Sequence, residues 1–296
     1  MQLRDILALI ALFALTFAGP LFRHDAPAPT PAPQSENPRR PAPRLFTDQP
    51  WDMETRDWIN GKPRARNSAA PDWAIREKDA LIQLPQRRSS GSGTAFAVGN
   101  GIWLTARHVT DGCDDIGLQI APRKGIRVTK VVNHPNADMA MLTTRSGPVP
   151  FPLGAGAGTG DDGFLIGFPK GQPGAVHVSK IGTISLKERG QYRTRETADV
   201  WSERSRIPDR AGSLGGLSGG PAFTADGRLT GAVLAEEPRR GRVFTAQPAT
   251  LRYMIEQAGP ATPGETAGTL DNQRYPKSAR ELLTSLRIAK VICRVR

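Results

Sequence analysis

Apolar and polar residues alternate along the middle of the chain, and this pattern predicts a series of short strands. Turn residues such as Gly99-Asn100-Gly101 and Ala225-Asp226-Gly227 separate the alternating stretches, as hairpins require. The predicted strands form two groups: 79–84, 94–98, 102–105, 116–120, 127–133 and 140–143, then 164–168, 175–186, 221–224, 229–235 and 242–247. Two later stretches, 249–257 and 278–291, repeat apolar residues at helical spacing, so we expect two short amphipathic helices after the strands.

The N-terminal region is dominated by apolar side chains and predicts a targeting segment outside the folded domain. Arg4 precedes an apolar run from Ile6 to Phe22, which is interrupted by Gly19-Pro20. At about 1.5 Å per helical residue, the run would reach roughly 25 Å, within the lower range of a membrane-spanning helix. Residues 1–24 are therefore interpreted either as an uncleaved membrane anchor or as a cleaved signal peptide.

The composition changes after the apolar run and divides the rest of the chain. Residues 25–50 are rich in proline and alanine, which favours an extended polyproline II spacer over a packed core. Residues 51–77 have no sustained period and are interpreted as an irregular lead-in. We expect the folded domain to cover 78–258, followed by a basic C-terminal extension over 259–296.

The overall composition favours one domain built mainly of strands. Of the 296 residues, 31 are glycine and 26 are proline, which is typical of many short strands joined by turns. The net charge of +12 is strongly basic, but no nucleic-acid recognition motif accompanies it, so no nucleic-acid partner is expected. An anionic membrane surface would suit the basic extension, and an ordinary solvated face explains the same charge equally well.

Two cysteines, Cys113 and Cys293, make up the thiol content of the chain. In an exported protein, oxidising conditions would let them form a disulfide that ties the C-terminal segment beside His108. Two alternatives stay open: two buried, unpaired thiols, or Cys113 alone as a packing residue near His108. The sequence shows neither clustered Cys and His ligands nor a glycine-rich phosphate loop, so no metal and no cofactor are predicted.

Three short motifs in a fixed order carry the candidate chemistry. They are Thr105-Ala106-Arg107-His108-Val109, then Asn136-Ala137-Asp138-Met139-Ala140-Met141-Leu142, then Gly216-Leu217-Ser218-Gly219-Gly220-Pro221. A serine hydroxyl becomes nucleophilic when an imidazole takes its proton and a buried carboxylate orients that imidazole. Ser218, His108 and Asp138 supply these three groups. Attack on a carbonyl also creates an oxyanion, which the backbone amides of Gly216 and Ser218 would bind.

In order and flanking residues, the motifs resemble those of the chymotrypsin-like (trypsin-fold) serine proteases, and within them the HtrA-like bacterial branch. The segments Gly91–Val98, Trp103–Val109 and His134–Leu142 follow that family's pattern. The resemblance covers residues 78–257. It implies an all-β fold of two barrels with short C-terminal helices, and leaves no room for the PDZ domain that many members of the branch carry.

The same resemblance implies a function. It implies a serine endopeptidase that cleaves polypeptide substrates through an acyl-enzyme and needs no cofactor. Together with the N-terminal segment, it implies a cell-envelope protein. The protein would lie on the periplasmic face of the inner membrane if the segment is an anchor, and would be periplasmic or secreted if the segment is cleaved. The oligomeric state is not predicted.

One residue departs from the family's pattern. Asp or Asn usually precedes the nucleophile, whereas this chain has Leu217. In digestive members that Asp pairs with an N-terminus released by cleavage, so Leu217 argues against this activation route. It leaves open a catalytically latent or inactive peptide-binding module as the main alternative. An esterase that uses the same triad is a third interpretation.

The resemblance also indicates where the substrate's side chain before the scissile bond would bind. Members that prefer Arg or Lys carry an Asp six residues before the nucleophile, and this chain has Gly212 there. The pocket wall around Leu234–Glu236 then implies small or medium apolar side chains. Glu236 and Glu237 keep a basic preference open.

Overall fold

The computed structural model describes residues 64–65, 78–84, 87–121, 123–209, 212–260 and 262–296. The predicted targeting segment (1–24), the proline-rich spacer (25–50) and most of the lead-in (51–77) lie outside the described residues. Within the described ranges, no helix is both long and apolar enough to cross a membrane.

Fifteen strands and three α-helices are found in the described part of the chain. The strands are β1 (Arg64–Ala65), β2 (Asp79–Gln83), β3 (Gly91–Gly99), β4 (Ile102–Ala106), β5 (Asp115–Ala121), β6 (Lys124–Arg127), β7 (Lys130–Asn133), β8 (Met139–Thr143), β9 (Asp162–Gly167), β10 (Gly174–Arg189), β11 (Arg193–Ile207), β12 (Pro221–Phe223), β13 (Leu229–Glu237), β14 (Arg242–Ala246) and β15 (Ile288–Arg294). The helices are α1 (Arg107–Thr110), α2 (Pro248–Glu256) and α3 (Tyr275–Thr284), and short 3-10 turns cover Pro169–Gly171 and Pro238–Arg240.

The strands form two curled sheets. Seven strands make the first sheet, in the order β6-β5-β15-β3-β4-β8-β7. Eight strands make the second, in the order β1-β11-β14-β13-β12-β9-β10-β2, and an additional β10–β11 pairing closes it on itself. Neighbouring strands are antiparallel except β2, which runs parallel to β10. The two sheets confirm the predicted all-β, two-barrel architecture with short C-terminal helices.

Large aromatic side chains fill the two sheets, and their polar atoms are paired. Trp103 and Trp201 are fully buried. The indole nitrogen of Trp103 donates to Thr144 Oγ1 at 2.9 Å, and that of Trp201 donates to Thr245 Oγ1 at 2.8 Å. Each bond removes the cost of burying an indole N–H without an acceptor. Both sheets therefore provide a rigid support for the loops between them.

The C-terminal segment corrects one prediction. A single helix over 278–291 is wrong, because α3 ends at Thr284 and β15 begins at Ile288. β15 pairs with β3 on one side and β5 on the other, so it satisfies backbone groups that both strands would otherwise leave unpaired. Its β-branched residues Ile288, Val291 and Ile292 also suit a strand. The segment that the sequence set apart as an extension thus completes the first sheet.

A second difference is β11, which the sequence pattern did not predict. β11 pairs with β10 from Ala175↔Ile207 to Arg189↔Arg193, so the two strands form one long hairpin. Its alternation is obscured by arginine and glutamate residues near the turn. This hairpin belongs to the second sheet, and its turn reaches the site described below.

The structure joins Cys113 and Cys293 in a disulfide, with their Cα atoms 5.5 Å apart. That separation lies in the ordinary range for disulfides. Cys113 follows α1, which carries His108, and Cys293 lies in β15. The bond therefore links the helix of the first motif to the C-terminal strand, across a sequence separation of 180 residues.

Replacing both cysteines, as Cys113→Ala with Cys293→Ala, should lower the free energy of unfolding by about 3–5 kcal/mol, because the unfolded chain loses a constraint that closes a very long loop. Urea unfolding of the variant and of the wild-type protein measures the difference. As a control, a reductant should destabilise the wild-type protein by a similar amount and leave the double variant unchanged. Equal stability of the two proteins without reductant would contradict the structural role of this bond.

Candidate active site

The first two motifs meet because β4 and β8 are paired neighbours. Ala106 at the end of β4 is opposite Met139 at the start of β8. The next backbone contact, Arg107 N to Asp138 O at 3.0 Å, continues the pairing by one step. α1 then turns the chain so that His108 faces Asp138. The register of one strand pair therefore sets the position of both side chains.

The Asp138 carboxylate is buried and accepts several hydrogen bonds. Its side chain has no exposed area, whereas 22% of the His108 side chain is exposed. Oδ2 lies 2.5 Å from His108 Nδ1, and Oδ1 accepts the backbone N–H of His108 at 2.9 Å. The Tyr192 hydroxyl donates to the same Oδ1 at 2.5 Å. These bonds fix the imidazole orientation that a general base needs.

The electrostatics of this pair favour the charged forms of both residues. Burial alone would lower the pKa of the His108 imidazole, but the charge and hydrogen bond of Asp138 raise it above its ordinary value. Burial alone would raise the pKa of Asp138, but His108 and the Tyr192 hydroxyl hold it below its ordinary value. The Asp138 carboxylate therefore stabilises the imidazolium that forms when His108 accepts a proton, and this imidazolium stabilises the carboxylate.

The nucleophile turn, residues 216–220, lies against the first sheet. Thr94 N donates to Ser218 O at 2.9 Å, and Thr94 Oγ1 donates to Gly216 O at 2.8 Å. Gly219 has φ +79°, and a Cβ there would lie 2.2 Å from Thr105 Oγ1 and 2.3 Å from Thr94 O. A glycine is thus required where the turn meets β3 and β4.

The structure places Ser218 beside the His108 segment through their shared contact with Gly93. A Cβ at Gly93 would lie 2.5 Å from the Val109 side chain and 3.1 Å from Ser218 O. Within the described ranges, no hydrogen bond joins the Ser218 hydroxyl to His108. Such bonds are often long without substrate and shorten when it binds. The structure therefore forms the His108–Asp138 contact and places the Ser218 backbone against β3, which also contacts Val109 next to His108.

Two backbone amides in the nucleophile turn stand out from their neighbours. Between Leu214 and Gly220, the described contacts give every amide an acceptor within the chain except those of Gly216 and Ser218. These are the two amides predicted to bind an oxyanion. Gly216 and Ser218 are partly exposed, so their unpaired N–H groups beside the serine hydroxyl are open to a ligand and suited to bind a negatively charged oxygen.

The peptide before Gly216 is fixed by its carbonyl group. Gly215 O accepts the backbone N–H of Lys170 at 2.5 Å. In a trans peptide the C=O and N–H point to opposite sides, so the Gly216 N–H is directed away from Lys170. Gly216 has φ +96°, and a Cβ there would lie 2.6 Å from Phe168 O. Glycine is required to hold this orientation.

Leu217, which replaces the usual Asp or Asn, is fully buried in an apolar cluster. The cluster also contains Leu165, Val176, Val178, Trp201, Leu214, Ala222, Val233 and Val243. An ion pair with a released N-terminus is therefore not needed to hold the turn, because burial of an aliphatic side chain stabilises the same position.

Polar contacts hold the loop that precedes the turn. Arg206 donates to Gly212 O at 2.8 Å and also forms a buried ion pair with Glu203. The Glu236 carboxylate accepts the Ser213 hydroxyl and accepts Leu214 N at 2.8 Å. Glu236, from the expected pocket wall, thus contacts the residues that follow Gly212 in the expected pocket base.

One cluster of ligand-type side chains is found in the described part of the chain: His108, Asp138 and Glu188, whose candidate atoms lie within 4.8 Å of one another. Zinc bound by two such atoms at about 2.1 Å in tetrahedral geometry would separate them by about 3.4 Å. The 2.5 Å between His108 Nδ1 and Asp138 Oδ2 is instead a hydrogen-bond distance. The arrangement therefore fits a proton-sharing group better than a metal centre.

Sequence reasoning missed three residues that contact this pair: Tyr192, Glu188 and Glu196. They lie in or next to the β10–β11 turn, where abundant charged residues resemble a solvated hairpin. The sequence carries one signal for Glu188: it follows Ile184 and Leu186 at every second position of β10, so it lies on the same face as these apolar residues. In the structure, all three are buried. No pattern in the sequence indicates which residues of the first sheet they contact.

One family model matches part of this chain. Residues 91–231 match the family model described as trypsin-like peptidase domain, and this range contains His108, Asp138 and Ser218. No curated protein matches the sequence.

Several solved structures are similar to this chain, and three of them follow. The Rv3671c protease from M. tuberculosis, in its active form, is 23% identical, with a TM-score of 0.49 over 60% of this chain and 77% of that one. The MamO protease domain from Magnetospirillum magneticum is 18% identical, with a TM-score of 0.42 over 55% of this chain and 94% of that one. The HtrA-type protease AlgW with a decapeptide is 24% identical, with a TM-score of 0.43 over 56% of this chain and 52% of that one. At these identities and scores, the similarities add no argument about function.

Leu217→Asp should lower the free energy of unfolding by about 3 kcal/mol or more, because it places a carboxylate in an apolar cluster without a partner. Leu217→Met, which conserves volume, should cost less than about 1.5 kcal/mol. Urea unfolding of both variants measures the difference. If Leu217→Asp were as stable as the wild-type protein, the turn would have a partner for that charge, and the apolar anchoring would be wrong.

Proposed function

We propose that this chain, which carries a trypsin-like peptidase domain and is a serine protease, cleaves polypeptides through a triad of His108, Asp138 and Ser218. The observation that carries this proposal is the buried Asp138 carboxylate bonded to His108 Nδ1, with Ser218 in the adjacent turn. The family match supports the class of enzyme. The catalytic roles given below are our own assignment.

The first half-reaction forms an acyl-enzyme. Ser218 Oγ attacks the carbonyl carbon of the substrate while His108 Nε2 takes the hydroxyl proton. Asp138 keeps the Nδ1 proton in place and stabilises the resulting imidazolium. The amides of Gly216 and Ser218 bind the oxyanion. When the tetrahedral intermediate collapses, the C–N bond breaks and His108 gives the proton to the leaving amine.

The second half-reaction repeats these steps with water. His108 takes a proton from water, whose oxygen attacks the acyl carbon, and the same two amides bind the second oxyanion. Collapse breaks the ester bond and returns the proton to Ser218 Oγ. No step requires a cofactor, because the proton and the developing charge are both handled by groups of this chain.

A latent, peptide-binding form is the alternative, and one observation favours it. Among the described residues, the Ser218 hydroxyl makes no hydrogen bond to His108. The departure at Leu217 does not favour the latent form, because the apolar packing of Leu217 anchors the turn without the usual polar residue. The labelling experiment below distinguishes an assembled triad from a latent one.

We propose a location in the cell envelope for the enzyme, either at the periplasmic face of the inner membrane or as a periplasmic or secreted protein. The apolar run from Ile6 to Phe22 and the proline-rich spacer after it support this proposal. A disulfide between Cys113 and Cys293 suits an oxidising compartment. The basic residues near the C-terminus would be compatible with an anionic membrane surface.

A fluorophosphonate probe should label the purified wild-type domain, while Ser218→Ala should not be labelled because it lacks the nucleophile. His108→Ala should be labelled at least about 10³-fold more slowly, because no base takes the serine proton. The rate of labelling is read by gel fluorescence. Ser146→Ala, which changes an exposed serine, is the matched control and should be labelled at the wild-type rate.

Two results would contradict the proposal. Undiminished labelling of Ser218→Ala would show that another residue reacts, and no labelling of folded wild-type protein would favour the latent form. Hydrolysis of matched peptide and ester substrates should be compared on the same preparation. Turnover of the ester alone would favour the esterase interpretation.

A further inference from the structure

The turn of the β10–β11 hairpin extends from the second sheet to the buried carboxylate of the first. We call residues 188–196 the hairpin arm. Tyr192 at its tip donates a hydrogen bond to Asp138 Oδ1 at 2.5 Å, and Glu196 Oε1 accepts the backbone N–H of Asp138 at 2.8 Å. The backbone N–H of Arg195 donates to Asn136 O at 3.3 Å. The arm therefore contacts both the side chain and the backbone of the Asp138 segment.

A cation holds the tip of the arm in place. The Arg107 guanidinium lies over the Tyr192 ring, with its Cζ 3.9 Å from the ring centroid. Arg107 is also the neighbour of His108 in α1. A cation over an aromatic face stabilises the position of the ring. The Tyr192 hydroxyl is thereby held at Asp138 by contacts on both sides of the site.

Glu188, at the start of the arm, has no role in the proposed reaction steps. Its side chain is buried, with 1% of the residue exposed. Oε2 accepts the Thr194 hydroxyl, but Oε1 is buried without a hydrogen-bond partner among the described atoms. One carboxyl oxygen of Glu188, one of Asp138 and one ring nitrogen of His108 lie within 4.8 Å of one another. In the described part of the chain, no arginine or lysine pairs with Glu188.

Two carboxylates in this position cannot both be ionised. Burial removes the water that would solvate each charge, and like charges a few ångströms apart repel strongly in a medium of low polarity. Asp138 already accepts bonds from His108 and Tyr192, and these bonds favour its charged form. The proton must then reside on Glu188. On Oε1, that proton would also let this unpaired atom donate a hydrogen bond.

We propose that Glu188 is a neutral carboxylic acid that donates a hydrogen bond from Oε1 to the Asp138 carboxylate, and so acts with Tyr192 as a positioning residue for the triad. Its role in catalysis rests on the proposed function, but its protonation does not. Donors from His108, Tyr192 and Glu188 together leave the Asp138 carboxylate one stable orientation. The hairpin arm thereby couples the second sheet to the geometry of the base in the first.

The charged surroundings agree with this assignment. Burial, and next the nearby Asp138 charge, raise the pKa of Glu188 to about 9. Burial is also the main reason that the pKa of Glu196 rises to about 7, and burial with Asp138 raises the pKa of the Tyr192 hydroxyl. The other groups that face this cluster are His108 and Arg107. Glu188 is thus uncharged at neutral pH in the folded protein.

The stability of Glu188→Gln as a function of pH tests the protonation directly. The folded protein keeps the Glu188 proton up to about pH 9, whereas the unfolded chain releases it near the ordinary value of 4.5. Between these limits the folded state binds more protons, so the wild-type protein loses stability as pH rises, and the Gln variant lacks this loss. From about pH 6 to about pH 8, the unfolding constant of wild type relative to Glu188→Gln should rise by up to about tenfold per pH unit.

Urea unfolding at several pH values measures this ratio, and Glu281→Gln provides the matched control. Glu281 is an exposed glutamate in α3, so its substitution should give a ratio that does not change with pH. A pH-independent ratio for Glu188→Gln would overturn the proposal, since it would mean that Glu188 is ionised in the folded state. If Glu188→Gln does not fold, the ¹³C shift of the Glu188 carboxyl carbon in wild-type protein gives the same answer. It should remain at the acid value at neutral pH, and a carboxylate value would overturn the proposal.

Kinetics test the positioning role separately. Glu188→Leu removes the donor and should lower kcat/KM by about 10- to 100-fold, as expected for loss of a hydrogen bond to a buried charge. Glu188→Gln keeps a neutral donor and should recover most of that loss.

Tyr192→Phe should move the acidic limb of the kcat/KM profile to higher pH, because Asp138 then stabilises the His108 imidazolium more strongly. Equal losses of kcat/KM in Glu188→Leu and Glu188→Gln, with no shift of the acidic limb in Tyr192→Phe, would overturn the positioning role. Inactive wild-type protein would contradict only the proposed function.

Discussion

A carboxylate shielded from water is the constraint on which the rest of this site depends. The Asp138 side chain has no exposed area, and its charge is stable there only because hydrogen bonds replace the lost solvent. The ring and backbone N–H groups of His108 and the Tyr192 hydroxyl supply those bonds. The contacts that make burial of Asp138 tolerable are the same ones that orient the imidazole. One set of interactions therefore both stabilises the buried charge and sets the geometry of His108, the proposed catalytic base.

The nucleophile turn depends on a different constraint, which is the close approach of two sheets. Thr94 in β3 bonds to the carbonyl groups of both Gly216 and Ser218, and Gly219 allows the backbones to meet without a side chain between them. With these carbonyls paired and Leu217 buried, the turn has one stable conformation. That conformation leaves the N–H groups of Gly216 and Ser218 without acceptors among the described contacts, as the proposed oxyanion site requires. Packing of the sheets, rather than an ion pair from a new N-terminus, holds the turn.

Sequence reasoning found the parts of this site that are encoded locally. His108, Asp138 and Ser218 each lie in a short motif. The motifs and their order predicted the two-sheet fold and the His108–Asp138 contact, and the catalytic roles of the three residues stay predictions. Contacts between distant segments were not predictable in this way. Tyr192 of the hairpin arm lies 54 residues after Asp138 in the sequence. The sequence pattern predicts a helix where β15 forms, because the position of β15 between β3 and β5 depends on both partner strands.

The most direct test of the account is a crystal structure of the domain after reaction with a fluorophosphonate. A covalent bond between phosphorus and Ser218 Oγ is expected, with the phosphoryl oxygen within about 3 Å of the amides of Gly216 and Ser218. His108 should still contact Asp138, which should keep its bond from Tyr192. A phosphonate on another residue would contradict the account. So would a phosphoryl oxygen turned away from those two amides.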